Sequence, residues 1–164
     1  MSAVTFDEAT HTYRLDGVIL PSVTQIIGSL YDFKHVDPDL LERASDFGKA
    51  VHTACELDDN DDLDYPGLDP ALRPYVDAWR SFKQTTQFKV SLNEGIVYSK
   101  KFRYAGTLDR FGILCRGPTC RQGVVDIKTC TNLHPAIGLQ TAGYEIAARE
   151  MGLITGRSCT RYAV

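Results

Sequence analysis

The sequence of 164 residues contains no hydrophobic stretch that could cross a membrane, and we expect no leader that would direct secretion. No apolar run approaches the roughly 20 residues of a membrane-spanning helix. Residues 1–8 contain neither a basic region nor an apolar core, which a signal peptide would need. We therefore expect a cytoplasmic protein that has no membrane partner.

The sequence also has few cysteines. There are five, and an odd number in a chain without a secretion leader argues against a disulfide framework. Cys115 and Cys120 could face each other across a turn, but as half of a zinc site they lack a second pair. We therefore expect reduced thiols.

An excess of positive charge is missing as well, since the net charge is −3, and this alone does not indicate nucleic-acid binding. The acidic residues are concentrated between positions 56 and 69. We interpret residues 57–70 as a solvated loop; the alternative is a calcium loop, but the segment lacks the ligand spacing of an EF-hand. A basic group could face phosphate or could equally be a solvated hairpin face. It consists of Lys89, Lys100, Lys101, Arg103, Arg110, Arg116 and Arg121.

The patterning that is present predicts one α/β domain over residues 1–164, with a β-ribbon extension at 1–20. Ser22 and Gln25 form a capping-box pattern that begins a short helix, and Asp37–Pro38 begins a longer one. A third helix is predicted over 70–84, a three-stranded meander over 89–129, and a fourth helix from Pro135. We expect a mixed central sheet of four or five strands with helices on both faces. A final strand near 159–164 stops early, which leaves open a C-terminal truncation.

Two strands of the meander contain the most informative residues. Side chains of a strand alternate between its faces, so Asp126 and Lys128 point the same way while Ile127 points into the core. If the strands pair as a hairpin, Asp109 lies beside Asp126. Two carboxylates and an ammonium group on an otherwise apolar sheet cost solvation energy, which a divalent cation between the carboxylates would offset. The alternative is a surface ion pair between Asp126 and Lys128 on an edge strand.

Four short motifs occur in a characteristic order: Gly48-Lys49-Ala50-Val51-His52, Gly106-Thr107-Leu108-Asp109, Asp126-Ile127-Lys128-Thr129 and Gln140-Thr141-Ala142-Gly143-Tyr144. With Leu20-Pro21-Ser22-Val23-Thr24-Gln25, they resemble the PD-(D/E)xK nuclease superfamily, in particular its RecB-like exonuclease branch with phage-type recombination nucleases. The resemblance spans about residues 20–150. It implies a restriction-endonuclease-like core and, if the chain is phage-encoded, a location in the host cell cytoplasm.

The resemblance also implies a metal site for Mg²⁺ or Mn²⁺. His52, Asp109 and Asp126 would be ligands together with the backbone carbonyl of Ile127, and Glu94 is a further candidate. Lys128 would orient or deprotonate the attacking water and offset charge in the transition state. His52 could instead be a hydrogen-bonded core residue, and Glu94 a solvent-facing strand residue. Glu56 could support His52 or simply begin the acidic loop.

Further roles follow from the same resemblance. Gln140 and Tyr144 would position the catalytic groups or contact DNA, unless they only pack the helix on the sheet. Arg103, Arg110 and Thr129 are candidate DNA contacts. No iron–sulfur cluster is expected, because only Cys55 and Cys159 could correspond to the cysteines of cluster-containing members.

The expected function is metal-dependent DNA hydrolysis, most simply by an exonuclease of phage recombination or repair that leaves 5′-phosphates. Its substrate would be double-stranded ends or single-stranded DNA, and a recombination or single-strand-binding protein is a candidate partner. A structure-specific endonuclease and a non-catalytic DNA-binding protein on the same fold are the alternatives. The sequence does not indicate the oligomeric state.

Overall fold

The computed structural model describes residues 4–164, and within this range the protein is an α/β fold with two sheets and four α-helices. The elements, in chain order, are β1 (Val4–Asp7), β2 (Thr12–Leu15), β3 (Val18–Leu20), α1 (Val23–Ile27) with a 3-10 turn (Gly28–Leu30), α2 (Pro38–Asp59), α3 (Arg73–Thr86), β4 (Lys89–Ser99), β5 (Tyr104–Arg116), β6 (Thr119–Asp126), α4 (Ala136–Glu150) and β7 (Cys159–Ala163). Within the described range, no helix combines the length and hydrophobicity needed to cross a membrane.

The larger sheet has the strand order β4-β5-β6-β7. Strands β4, β5 and β6 form the predicted antiparallel meander, whereas β7 pairs with β6 in parallel. The prediction of a mixed central sheet is therefore confirmed, with four strands.

The smaller sheet, β1-β2-β3, is the predicted ribbon; positions 1–3 of the predicted extension lie outside the described residues. It attaches to the larger sheet through buried contacts. The hydroxyl groups of Tyr13 and Thr107 are 2.8 Å apart, and Ala105 donates its backbone N–H to the Pro21 carbonyl at 3.0 Å. The ribbon is thus held beside the strand that contains Asp109.

Helices cover both faces of the larger sheet, as predicted. Val124 packs with Val23 of α1 and Tyr144 of α4, whereas the next residue, Val125, packs with buried side chains of α2 and α3. Because consecutive strand residues point to opposite faces, these two valines mark the two halves of the core.

The predicted helix starts are present. Ser22 accepts the Gln25 backbone N–H at 3.0 Å, and the Gln25 side chain accepts the Ser22 N–H at 2.8 Å, which forms the capping box. Asp37 caps α2 by accepting the Asp39 N–H at 2.9 Å, with Pro38 in the first turn.

The prediction of a solvated loop from residue 57 is wrong at its beginning, since α2 continues to Asp59. The Asp59 side chain is only 1% exposed and lies 2.7 Å from the Lys83 ammonium group. Asp58 accepts a hydrogen bond from Arg80 at 2.7 Å. These two acidic residues are helical because basic partners from elsewhere in the fold neutralise them.

The expectation of reduced thiols is wrong for one pair. Cys115 and Cys120 face each other in the β5–β6 register and form a disulfide across the hairpin. Their close approach follows from the short turn between the strands. Cys55, Cys130 and Cys159 are free thiols.

Candidate metal centre

Three acidic residues lie side by side on three adjacent strands. In the β4–β5 register Glu94 falls opposite Asp109, and in the β5–β6 register Asp109 falls opposite Asp126. We call Glu94, Asp109 and Asp126 the carboxylate row. Asp126 is fully buried, Asp109 is 7% exposed, and the Glu94 side chain is about one-third exposed. The row therefore runs from the protein interior towards solvent.

The backbone of Glu94 adopts an uncommon conformation, with φ of +44°. Side chains other than glycine rarely occupy this left-handed region, and such residues cluster at functional sites. The Glu94 carboxylate accepts a hydrogen bond from Arg110 at 2.9 Å. The backbone conformation of Glu94 and the hydrogen bond from Arg110 therefore both fix the position of the Glu94 carboxylate.

His52 reaches the carboxylate row from α2. Its Nδ1 lies 3.5 Å from Glu94 Oε1 and 3.7 Å from Asp109 Oδ2. One ligand atom from each of these residues lies within 4.8 Å of the others, which is a spacing that one metal ion can bridge. The structure thus brings together His52, Asp109 and Glu94 from the predicted ligand set.

The other ring nitrogen of His52 faces the predicted backbone ligand. His52 Nε2 is 3.0 Å from the Ile127 carbonyl oxygen. When Nε2 carries the proton it donates to this carbonyl, and the lone pair of Nδ1 then points towards the carboxylates. In this arrangement the Ile127 carbonyl orients His52. The Ile127 side chain is buried, as predicted.

Asp126 lies beside this group of three rather than within it. Its Oδ1 accepts a hydrogen bond from Gln140 at 3.1 Å, and its Oδ2 lies 2.7 Å from the Lys128 ammonium group. The two side chains point the same way, as predicted, and form the ion pair of the alternative interpretation, but this pair is mostly buried and β6 is not an edge strand. Asp126 therefore links the lysine to the carboxylate row.

Burial and mutual repulsion shift the acidic groups strongly. Burial and then the charge of Asp126 raise the pKa of Asp109 to about 7, although His52 and the Ile127 N–H act in the opposite direction. That N–H donates to Asp109 Oδ2 at 2.6 Å. Burial also raises the pKa of Asp126, against the effect of Lys128. The site thus holds more negative charge than its own residues stabilise.

The carboxylates also raise the pKa values of the two basic groups, Lys128 and His52. Burial acts to lower the pKa of Lys128, but the carboxylates of Asp126 and Asp109 outweigh it and raise the pKa above its usual value. Burial likewise acts to lower the pKa of His52, and Glu94 and Asp109 outweigh it. Lys128 is therefore an ammonium group near neutral pH.

Gln140 and Tyr144 of α4 complete the surroundings of Asp126. Gln140 donates to both Asp126 and the Tyr144 hydroxyl, the latter at 3.2 Å. The Tyr144 ring packs against Gly106, where an added Cβ would lie 2.8 Å from the ring. Both side chains are buried; Gln140 bonds directly to Asp126, and Tyr144 bonds to Gln140. Their contact with DNA stays a prediction.

The three other predicted DNA contacts lie in different places. Arg110 is wrong as a DNA contact, because its side chain is fully buried and its Nε lies 2.6 Å from Asp59 Oδ2. Arg103 is exposed at the β4–β5 turn and lines a groove with Leu20, away from the carboxylate row. Thr129 lies beside α2, where a Cβ on Gly48 would be 3.7 Å from its hydroxyl.

The basic group predicted from the sequence does not form one face. Arg116 and Arg121 line a groove at the β5–β6 turn, whereas Lys100 and Arg103 line another at the β4–β5 turn. The hairpins separate these residues because their turns lie at opposite ends of β5.

An open cleft of about 590 Å³ leads to the exposed end of the carboxylate row. Its lining includes His52 and Glu94, together with Glu56 and Lys49 of α2. A solvent-borne ligand can therefore reach His52 and Glu94 directly.

Asp59 was missed by the sequence reasoning, although it holds Arg110, which in turn holds Glu94. The signal that could have found it is helical spacing. His52, Glu56 and Asp59 recur at four- and three-residue intervals, which places them along one side of α2.

No protein-family model and no curated protein matches this chain.

Proposed function

We propose that this protein is a Mg²⁺- or Mn²⁺-dependent deoxyribonuclease with a restriction-endonuclease-like core of the PD-(D/E)xK type. The observation that supports this proposal best is the carboxylate row with His52 at one end and Lys128 paired to Asp126 at the other. An apolar sheet has no structural need for such a row, and its charges are not balanced locally.

The residues present fit a hard divalent cation. Carboxylate oxygens are the donors that Mg²⁺ and Mn²⁺ prefer, and His52 would add one nitrogen donor to them. His52, Glu94 and Asp109 would hold the ion, with Asp126 adjacent. A bound cation would lower the pKa of an attacking water and polarise a phosphoryl oxygen.

Lys128 is proposed to interact with the scissile phosphate and with the attacking water. Its ion pair with Asp126 fixes the ammonium group, and its raised pKa keeps it charged. It therefore orients the water and stabilises the negative charge that develops on the phosphate oxygens, rather than acting as the base. Gln140 holds Asp126 so that this pair keeps its geometry.

The substrate we propose is DNA, and the reaction is hydrolysis of phosphodiester bonds to leave 5′-phosphates. We propose an exonuclease of phage recombination or repair, acting with a recombination or single-strand-binding protein. A closed circular substrate distinguishes this from an endonuclease on the same fold, because an exonuclease needs an end.

The test is degradation of end-labelled linear DNA with Mg²⁺, with Mn²⁺ and with EDTA. We expect the wild type to release nucleotides only with a divalent cation and Lys128→Ala to be slower by at least about a hundredfold. The matched control is Lys89→Ala, which removes an exposed lysine at the far end of the same sheet. Equal degradation by wild type and Lys128→Ala would reject the proposed function.

A further inference from the structure

Three aromatic rings form a cluster on two loops beside the candidate site. Tyr31 and Phe33 follow the 3-10 turn, and His134 precedes α4. The ring centroids of Tyr31 and Phe33 are 5.5 Å apart with nearly parallel planes, and those of Tyr31 and His134 are 4.5 Å apart. We call Tyr31, Phe33 and His134 the aromatic platform.

The aromatic platform is not part of the interior. None of its rings belongs to the core clusters formed by the described residues, and Phe33 is 53% exposed. Contiguous apolar surface that is left to solvent marks interaction sites, and this stack leaves ring surface exposed. Its outer surface is therefore available to a planar ligand.

The platform is attached to the segment that follows Lys128. His134 lies in the loop that leads from Lys128 to α4, and its ring packs on Tyr31 with the centroids 4.5 Å apart. A phosphate bound at Lys128 would therefore place its attached nucleotide near these rings.

Charged side chains of both signs flank the platform, since Asp32 and Asp37 lie on the same loop as the basic residues. Lys34 and His35 directly follow Phe33 and are exposed. The Lys34 backbone N–H bonds to the Asp32 carboxylate at 3.2 Å, which fixes the turn. Aromatic rings next to basic side chains are the combination with which proteins bind single-stranded DNA, since bases stack and cations follow the backbone.

We propose that the aromatic platform stacks unpaired bases of DNA beside the reacting phosphate, so that the enzyme acts on single-stranded ends. The position of that phosphate rests on the proposed function. Base stacking itself does not require catalysis, and it is therefore measurable when hydrolysis is prevented.

The experiment is fluorescence anisotropy in EDTA with a labelled single strand of about 12 nucleotides. A second probe has the same backbone with abasic sites in place of the bases. We expect Phe33→Ala to bind the normal strand about tenfold more weakly, which corresponds to the loss of one stacked base. Phe33→Trp should restore binding, because it keeps a stacking ring.

The matched control is Phe102→Ala, which removes an equally exposed phenylalanine, 56% accessible, at the β4–β5 turn. It should bind like the wild type. On the abasic strand we expect wild type and Phe33→Ala to be equal, because no base remains to stack.

Two results would overturn the proposal. One is unchanged binding of the normal strand by Phe33→Ala, which would show that Phe33 does not stack on a base. The other is equal binding of normal and abasic strands by the wild type. Both are independent of the Lys128→Ala degradation test, so stacking and hydrolysis fail separately.

Discussion

Two buried groups of charges meet at Arg110 and differ in their balance. On the α3 side, Asp59 is surrounded by three donors: Arg110 at 2.6 Å, Lys83 at 2.7 Å and the Trp79 indole N–H at 2.8 Å. Here every buried acidic oxygen faces a donor. We call Asp58, Asp59, Arg80, Lys83 and Arg110 the balanced cluster.

The carboxylate row on the other side of Arg110 is different. Asp109 faces one backbone N–H and His52, and Lys128 is paired with its neighbour Asp126. The pKa of Asp109 rises to about 7, whereas that of Asp58 in the balanced cluster falls. The two regions therefore differ in the balance of their charges rather than in burial, and this imbalance is what makes the carboxylate row the candidate functional site.

The largest expected effect tests the balanced cluster. Asp59→Asn removes the carboxylate between Arg110 and Lys83, so that Arg110 keeps only Glu94, and Lys83 only Asp58, as an acidic partner. We expect the free energy of unfolding to fall by about 3 kcal/mol, as when one member of a buried ion pair is removed. Urea denaturation measures this change. Asp46→Asn, in an exposed pair with Lys49, is the control and should change it by less than about 0.5 kcal/mol.

A substitution in the carboxylate row is expected to change the free energy of unfolding in the opposite direction. A folded-state pKa raised to about 7 from 3.8 means that ionised Asp109 destabilises the fold at pH 8. Asp109→Asn should therefore raise the free energy of unfolding at pH 8 by on the order of 2 kcal/mol without metal, and under the proposed function it should abolish DNA degradation. Urea denaturation in EDTA checks the first effect. A loss of stability equal to that of Asp59→Asn would remove the distinction between the two regions.

A smaller effect concerns pH. Burial acts to raise the pKa of Asp58, but hydrogen bonds from Arg80 and Lys83 outweigh it, so the pKa lies below 3.8. This carboxylate therefore stabilises the fold above the unfolded value, and the contribution is lost as pH falls through the lower folded value. When the pH is lowered from 5 to 3, the free energy of unfolding should decrease in both proteins. The decrease should be smaller for Asp58→Asn than for the wild type, by on the order of 1 kcal/mol. If the free energy of unfolding depended on pH in the same way in both proteins, the stabilising role of ionised Asp58 would be contradicted.

Local patterns in the sequence predicted much of the fold. The capping residues Ser22 and Asp37 begin α1 and α2, and strand alternation places Ile127 in the core with Asp126 and Lys128 together. These features depend on residues near in sequence, which is why they could be predicted. His52 and Asp109 were located by their motifs, and the structure brings them within ligand spacing.

The predictions that were wrong concern residues whose partners could not be recognised from the sequence. Asp59 looked solvated in an acidic run, because its partner Arg110 is far away in sequence on β5. Arg110 looked like a surface cation for the same reason. The Cys115–Cys120 disulfide depends on hairpin register, which the cysteine count does not reveal. Composition thus could not tell which charges were already paired.

The central claim is that the carboxylate row keeps negative charge for a divalent cation, and calorimetric titration with Mn²⁺ tests it most directly. We predict saturable binding by the wild type and by Asp46→Asn, and none by Asp109→Asn. Binding of equal affinity by Asp109→Asn, or no saturable binding by the wild type, would contradict the claim.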